Sequence, residues 1–257
     1  MKLLNLGCGS RYRKDWINID FVSTNKNIIV HNLLKGIPFK DNTFNVVYHS
    51  HLLEHFSRTE ASDSIKECYR VLKPNGIIRV VTPNLEEILI NYQKYLRLAL
   101  QDNKKAEANY DWIMLEMYDQ CVRTFNGGEM GKIYTSGGIH NPEFIYKRTG
   151  IKVSTKPSLV KRNNLSKLSI RNLLMKLILG KEFKYYKLGK FRSSGEVHQW
   201  MYDRFSLTRL LQQSGFDKSK GVSATESNIP GWTSYNLDTN PDGTVYKPDS
   251  FYMEAIK

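Results

Sequence analysis

Short apolar runs punctuated by turn residues dominate the first third of this 257-residue chain. Residues 2–6 read as a brief buried strand ending at Gly7-Cys8-Gly9-Ser10, and residues 16–20 as a second with Asp20 at its carboxyl end. Ile28-Ile29-Val30, followed by His31-Asn32, makes a third, and residues 44–48, introduced by Lys40-Asp41-Asn42-Thr43, a fourth. From Glu60 to Leu72 the period changes: Ala61, Ile65, Cys68, Tyr69 and Leu72 recur at helical spacing. Lys73-Pro74-Asn75-Gly76 stops that helix, because proline cannot extend it and Asn-Gly tolerates positive φ. Residues 77–81 then form a fifth strand. Apolar strands alternating with helices or crossovers predict an α/β fold with a Rossmann-like, mostly parallel sheet. One crossover is unusual. About ten residues separate the first strand from the second, too few for the usual connecting helix, so that helix is expected to be a stub or absent.

Beyond Leu85 the pattern turns helical and amphipathic as far as Phe125, in two segments broken near Asp102-Asn103. Gly127-Gly128-Glu129-Met130-Gly131 and Ser136-Gly137-Gly138 read as loops. Residues 165–179 predict a basic amphipathic helix with Leu168, Leu173, Leu174, Leu177 and Ile178 on its apolar side. A further helix opens at Asp203 or Ser206 and closes at Gly215-Phe216, and residues 222–225 and 251–256 fit terminal strands. The expected organisation is a cofactor-binding part over residues 1–84, a helical insertion or substrate lid over 85–200, and a C-terminal part over 201–257 that completes the sheet.

Composition narrows the function classes. With 40% hydrophobic and 25% charged residues the chain can bury a core, which excludes disorder as the starting assumption. No apolar run approaches bilayer length, and the opening residues lack a secretory leader's apolar core, so a cytoplasmic protein is expected. Cys8, Cys68 and Cys121 lie far apart without metal or redox spacing, which fits a reducing compartment and excludes iron–sulfur radical chemistry. The net charge of +13 is uneven: fourteen Lys or Arg and one acid, Glu182, lie between Lys147 and Arg192. Nucleic acid, anionic lipid headgroups or a phosphorylated substrate would each suit that segment, as would a solvated surface.

The sharpest chemical signal is the glycine turn. Gly7 and Gly9 let the backbone reverse at a strand end with no side chain between it and a ligand, and Asp20 on the next strand can accept from a ribose diol. A dinucleotide would need a third glycine and a helix N-terminus under its pyrophosphate, whereas this chain has Arg11 and no long helix. An adenosine cofactor without phosphate fits better, and S-adenosylmethionine is such a cofactor.

Residues 4–9, Asn18-Ile19-Asp20, Ile37-Pro38-Phe39, residues 41–48, His51-Leu52-Leu53-Glu54-His55-Phe56 and residues 69–76 follow one another in an order that resembles the class I S-adenosylmethionine-dependent methyltransferases of the type 11 group. Within it the chain is similar to a branch associated with glycan and polysaccharide biosynthesis. The likeness covers residues 2–83, resumes at residues 200–216, and extends to Tyr118-Asp119-Gln120, Arg123 and Gly127-Gly128-Glu129-Met130. It implies that Gly7 and Gly9 line the methionine end of the cofactor and Asp20 holds the ribose hydroxyls. Asn32 and Leu33 would lie against the adenine, and His49 and Ser50 beneath the sulfonium.

Methyl transfer needs an aligned nucleophile, exclusion of water and, for a hydroxyl acceptor, a base. Histidine suits that role. His51 is the first candidate; if its segment is helical, His51 and His55 share a face and Glu54 can orient one of them. The His-x-x-Glu-His spacing is half of a zinc pattern without a clear third ligand, so no metal is expected. His140 and His198 are further candidates for the acceptor pocket. Asp119 and Arg123, four apart, would form a helix-face pair, or Arg123 would grip an acceptor's carboxylate or phosphate, with Glu129 near it. Trp200 and Tyr202 could stack on a sugar or aromatic ring, while Trp112 suits a core. The resemblance to methyltransferases of glycan biosynthesis implies O-methylation of a sugar or glycan precursor. Methylation of another small molecule or lipid precursor, and a non-catalytic cofactor-binding scaffold, are the alternatives. Nucleic acid is the less favoured partner, since no RNA-binding module is recognisable, and peripheral contact with an anionic membrane surface is open.

Overall fold

The computed structural model describes residues 1–156 and 170–257, so the first part of the helix expected over 165–179 lies outside the described residues. Two compact units divide the chain. The first comprises Met1–Leu89, Arg148–Gly150 and Gln199–Lys257; the second comprises Ile90–Lys147 and Ile151–His198.

The first unit is built on a seven-stranded sheet: β1 (Leu3–Leu6), β2 (Ile17–Asp20), β3 (Ile28–Val30), β4 (Phe44–Ser50), β5 (Leu72–Pro83), β6 (Asp217–Val222) and β7 (Ser250–Ile256). Their order is β3-β2-β1-β4-β5-β7-β6, with β7 antiparallel to both neighbours and the β1–β5 pairs parallel. The chain steps outward from β1 to β3 and then returns to β1's other side with β4. The strand order thus reverses between β1 and β4, where open α/β sheets hold ligands at the carboxyl ends of their strands.

One face of the sheet packs on helices α1 (Arg58–Val71) and α8 (Arg204–Gln213). Helix α1 starts where Ser57 and Glu60 exchange side-chain and backbone hydrogen bonds in a capping box. It buries Ala61, Ile65, Cys68 and Val71 on one stripe, against Leu4, Leu6, Val47 and Ile78 of the sheet. It ends one residue before the expected Leu72, which already belongs to β5. The Lys73–Gly76 turn bulges out of that strand with Asn75 at φ +62°.

Among the described residues, no α-helix contributes to the buried cluster on the other face. No helix lies between β1 and β2, in line with the short spacing, and two buried asparagines do the work of a crossover element. Asn18 Nδ2 donates to the carbonyls of Arg13 and Trp16 at 2.7 and 2.9 Å, while its Oδ1 accepts from Arg13 N–H at 3.3 Å and Asn5 Nδ2 at 3.2 Å. Asn5 Nδ2 also reaches the Arg11 carbonyl at 2.9 Å. Each asparagine is 1% exposed, so every bond replaces one that water would have made. The residues after β6, including a short helical turn at Trp232–Tyr235, cover this face with Ala224, Ile229, Trp232 and Leu237 on Leu3, Trp16, Tyr48 and Tyr252.

At the centre of that cover is Arg79 of β5, fully buried. Its Nε donates to Asp238 Oδ2 at 2.8 Å, Nη1 to Glu254 Oε1 at 2.8 Å and to the Glu226 carbonyl at 3.0 Å, and Nη2 to the Ser223 carbonyl at 2.7 Å. The guanidinium also lies 4.4 Å from the Trp232 ring centroid. Tyr48 Oη donates to the other oxygen of Asp238 at 2.6 Å.

The second unit is helical: the end of α2 (Leu85–Ala99), then α3 (Lys104–Val122), α4 (Gly128–Ser136), most of α5 (Pro142–Thr149), α6 (Ile170–Leu179) and α7 (Phe183–Arg192). The break between α2 and α3 falls where expected. Asp102 adopts φ +57°, and Asn103 caps α3 by accepting from Ala106 N–H. The stretch from Gly128 is not a loop as its glycines suggest. It is helix α4, because Asp119 of α3 supplies the missing cap by accepting from Glu129 N–H at 2.6 Å. A Cβ on Gly128 would stand 2.3 Å from Asp119 Oδ2, so only glycine permits that approach.

Arg79→Met is expected to destabilise the protein by about 3–5 kcal/mol, because it leaves the Asp238 and Glu254 carboxylates buried without their cation. Equilibrium denaturant unfolding checks this, and a loss below about 1 kcal/mol would show that the network is not holding the cover.

Candidate active site

All the parallel strands end at one edge, and the first unit's candidate residues gather there. Gly7 follows β1 with φ +60° and Gly9 has φ +51°, the left-handed turn the sequence requires. Their uses differ. A Cβ on Gly7 would lie 2.9 Å from Leu52 Cδ1, so Gly7 admits the segment after β4 rather than a ligand. A Cβ on Gly9 would meet nothing within 4 Å, so the space above Gly9 is open. Cys8 between them is buried, and its thiol is pushed up to about 12, first by burial and then by Asp20, which makes it inert.

Asp20 ends β2. Its Oδ2 accepts from Gly9 N–H at 2.7 Å and its Oδ1 from Val22 N–H at 3.3 Å. The carboxylate therefore lies against the glycine turn, and each oxygen keeps a lone pair. An open backbone turn beside an acid with unused acceptor capacity fits an adenosine-bearing cofactor, with Asp20 placed for the ribose diol and Gly9 for close approach. Asn32 caps the short helical turn Leu33–Lys35 by accepting from Leu34 N–H at 3.0 Å, which occupies one lone pair of its amide oxygen. Arg11, where the turn departs from glycine, has a structural use. Nη1 donates to the carbonyls of Asn236 and Thr239, Nη2 donates to Asn240 Oδ1, and the guanidinium lies 3.5 Å from the Tyr246 ring centroid. It ties the glycine turn to the cover over the helix-free face.

His49 and Ser50 lie within β4, which runs two residues further than the pattern suggests. His49 is 2% exposed, and neither ring nitrogen has a hydrogen-bond partner. Burial lowers its pKa to about 4, against a smaller opposite effect of Glu54.

His51 follows directly, at φ +51°, a conformation rare and strained for a non-glycine residue. The helix that would set His51 and His55 on one face does not form: a short 3-10 turn spans Leu53–His55, and α1 begins only at Arg58. The two histidines therefore share no helix face. Glu54 nonetheless orients His51, its Oε1 lying 3.3 Å from Nδ1, and Glu54 is itself fully buried. Its Nε2 lies 2.7 Å from Ser250 Oγ, at hydrogen-bond distance. Ser250 was not foreseen. It reaches this edge because β7 runs antiparallel and so starts where the other strands end.

Trp200 is 42% exposed, with the Arg58 guanidinium 4.9 Å from its ring centroid. Tyr202 is a core residue instead of an open ring platform: it is 4% exposed in the cluster under α1 and α8, and burial pushes its phenol up to about 12. The remaining candidates belong to the second unit. Arg123 pairs with Asp119 at 3.2 Å, and this pair is buried, unlike the surface pair the spacing suggests. Glu129 is exposed and bridges Lys132 at 2.6 Å. His140 is exposed on a loop, and His198 is buried with its N–H donating to the Gln120 carbonyl at 3.0 Å.

A parallel sheet with one reversed terminal strand, an open glycine turn at β1 and an acid at the end of β2 define a class I methyltransferase fold. Residues 10–80 match the family model described as "Methyltransferase domain". That match covers under a third of the chain and makes this stretch similar to a methyltransferase domain. Among solved structures it is similar to an S-adenosylmethionine-dependent methyltransferase from Archaeoglobus fulgidus, at 13% identity over 100% of this chain and 86% of that one, TM-score 0.40. The YcgJ protein of Bacillus subtilis gives 11% identity over 100% and 91%, TM-score 0.36. A protein of Pyrococcus horikoshii gives 26% identity over 36% and 54%, TM-score 0.31. No curated protein matches the chain.

Two outcomes are expected. Asp20→Ala should weaken S-adenosylmethionine binding at least tenfold by calorimetry while leaving the melting temperature of the free protein within a few degrees. The second concerns His49, whose folded pKa near 4 lies below its ordinary 6.5. Above pH 6.5 neither state holds the proton; as pH falls the unfolded chain takes it up first, so stability drops between 6.5 and 4, by up to about 3 kcal/mol. Denaturant unfolding across that range should show the drop, and His49→Leu should flatten it.

Proposed function

We propose that the chain is an S-adenosylmethionine-dependent methyltransferase that methylates a hydroxyl group, with His51 as the base that removes the hydroxyl proton, and that the acceptor is a sugar or glycan precursor. The observation that carries the first part is the strained, doubly held imidazole of His51. It stands at the carboxyl edge after β4, with Nδ1 toward buried Glu54 and Nε2 beside Ser250. S-adenosylmethionine, when bound, supplies a methyl group already activated by its positive sulfur. The chain's own share is to hold the adenosine end with Gly9 and Asp20, and to accept a proton at His51 Nε2. As that proton arrives, the Glu54 carboxylate stabilises the resulting imidazolium. An amine acceptor needs only to arrive neutral and would leave such a base idle. The sugar class rests on the sequence resemblance to methyltransferases of glycan biosynthesis, since fold alone does not select an acceptor.

Transfer of an isotope-labelled methyl group to a panel of nucleotide sugars, glycan extracts and matched amines, read by mass spectrometry, tests both parts. A product on a sugar oxygen is expected. His51→Gln should lower kcat by about 10²–10⁴-fold, the usual range for a lost general base, with the Kd for S-adenosylmethionine unchanged. Product on nitrogen, or a His51→Gln enzyme as fast as the wild type, would sink the base assignment. Product on a non-sugar hydroxyl would leave the base and remove the sugar.

A further inference from the structure

Helices α6 and α7 follow one another through Gly180, which takes φ +51° to make the turn. In α6, Leu173, Leu174, Leu177 and Ile178 are 52%, 53%, 74% and 75% exposed. Their spacing of one, three and one residues places them on a single helix face. Scattered exposed leucines are ordinary on a soluble protein, but four large aliphatic side chains on one short face form a patch that calls for a partner.

The surrounding charge says which one. Residues 170–192 carry seven Lys or Arg and a single acid, Glu182. Lys176, Lys181, Lys184, Lys187, Lys190 and Arg192 are all exposed, and so is Tyr185. Nucleic acid would take up the lysines but leave the aliphatic face without a counterpart. A second copy of the chain would cover the aliphatic face but set two strongly positive surfaces against each other. An anionic bilayer satisfies both: the Leu and Ile side chains enter the headgroup–acyl boundary while the lysines remain among lipid phosphates. Helix α6 has ten residues, and no helix among the described residues is long and apolar enough to cross a membrane, so the helix would lie along the surface.

We infer that α6 and α7 form a peripheral docking surface for anionic lipid bilayers. This surface is independent of the acceptor and base assignments, and its test does not involve methyl transfer.

Vesicle sedimentation with the full chain decides the matter, comparing phosphatidylcholine vesicles with vesicles one-third phosphatidylglycerol at low and physiological salt. The protein is expected to sediment with the anionic vesicles only, and to bind several-fold less at the higher salt. Leu177→Asp with Ile178→Asp should reduce partitioning at least tenfold, and so should Lys184→Glu with Lys187→Glu. Both double variants should keep wild-type affinity for S-adenosylmethionine and wild-type helix content; should the aspartates lower either, Leu177→Ser with Ile178→Ser is read in their place. Absence of binding to anionic vesicles at low salt overturns the inference. So does an aspartate or serine double variant that partitions like the wild type, since charge alone would then explain the binding. Tighter retention on RNA than on anionic vesicles at physiological salt would overturn it as well.

Discussion

A cation buried in a β-sheet must be answered by anions and carbonyls in the same place, or the sheet does not form. Arg79 imposes that condition on the first unit. It lies among the buried residues of the interior strand β5, and its partners come from a stretch far from it in sequence: the carbonyls of Ser223 and Glu226, Asp238 and Glu254. Burial raises the pKa of Asp238, and Arg79 opposes that rise, so the carboxylate's ionisation depends on its cation. Satisfying Arg79 therefore fixes where the segment between β6 and β7 runs. That segment covers the face that has no α-helix. The network is as much a statement about topology as about stability, since a sheet bare on one face would expose Trp16, Tyr48 and Tyr252 to water.

The absent crossover helix and the loop cover are two sides of one arrangement. With only a short span between β1 and β2, the backbone polar groups in it need partners from side chains, and Asn5 and Asn18 provide them from inside the sheet. The spacing alone announced the shortened crossover. The asparagines carried no such signal, because a buried amide in a strand looks like any polar interruption until its partners are placed. Arg11 is similar. In the sequence it stands where a dinucleotide fold would need a third glycine; in the structure it is the clamp that joins the turn to the cover.

Local pattern revealed the elements with strong periodicity and missed those governed by distant contacts. Strands β1 to β4 and helix α1 were legible because apolar spacing decides them. Helix α4 was not, since Gly127 and Gly128 are poor helix residues and the cap that rescues them comes from Asp119 on another helix. The site divides in the same way. Gly9 and Asp20 could be read from the strand–turn–strand pattern, whereas Gly7 proved to serve Leu52, and Ser250 became visible only when the reversed strand β7 brought it to the edge. Tyr202 shows the converse error: an aromatic beside a predicted helix start looked like a ring platform and is core.

His51, the proposed base, shows how such a role depends on the fold. Its left-handed backbone is costly for a side chain with a Cβ, and it persists because its neighbours fix it: the backbone N–H is bonded to the Val81 carbonyl at 2.9 Å and the ring is held at both nitrogens. Continuing β4 by one more residue would carry the side chain off with the strand. Entering a helix at once would set it beside His55, away from Ser250. Only the abrupt turn aims the imidazole along the edge where Gly9 and Asp20 lie. That turn is therefore the structural reason that His51 and His55 are not presented on one helix face.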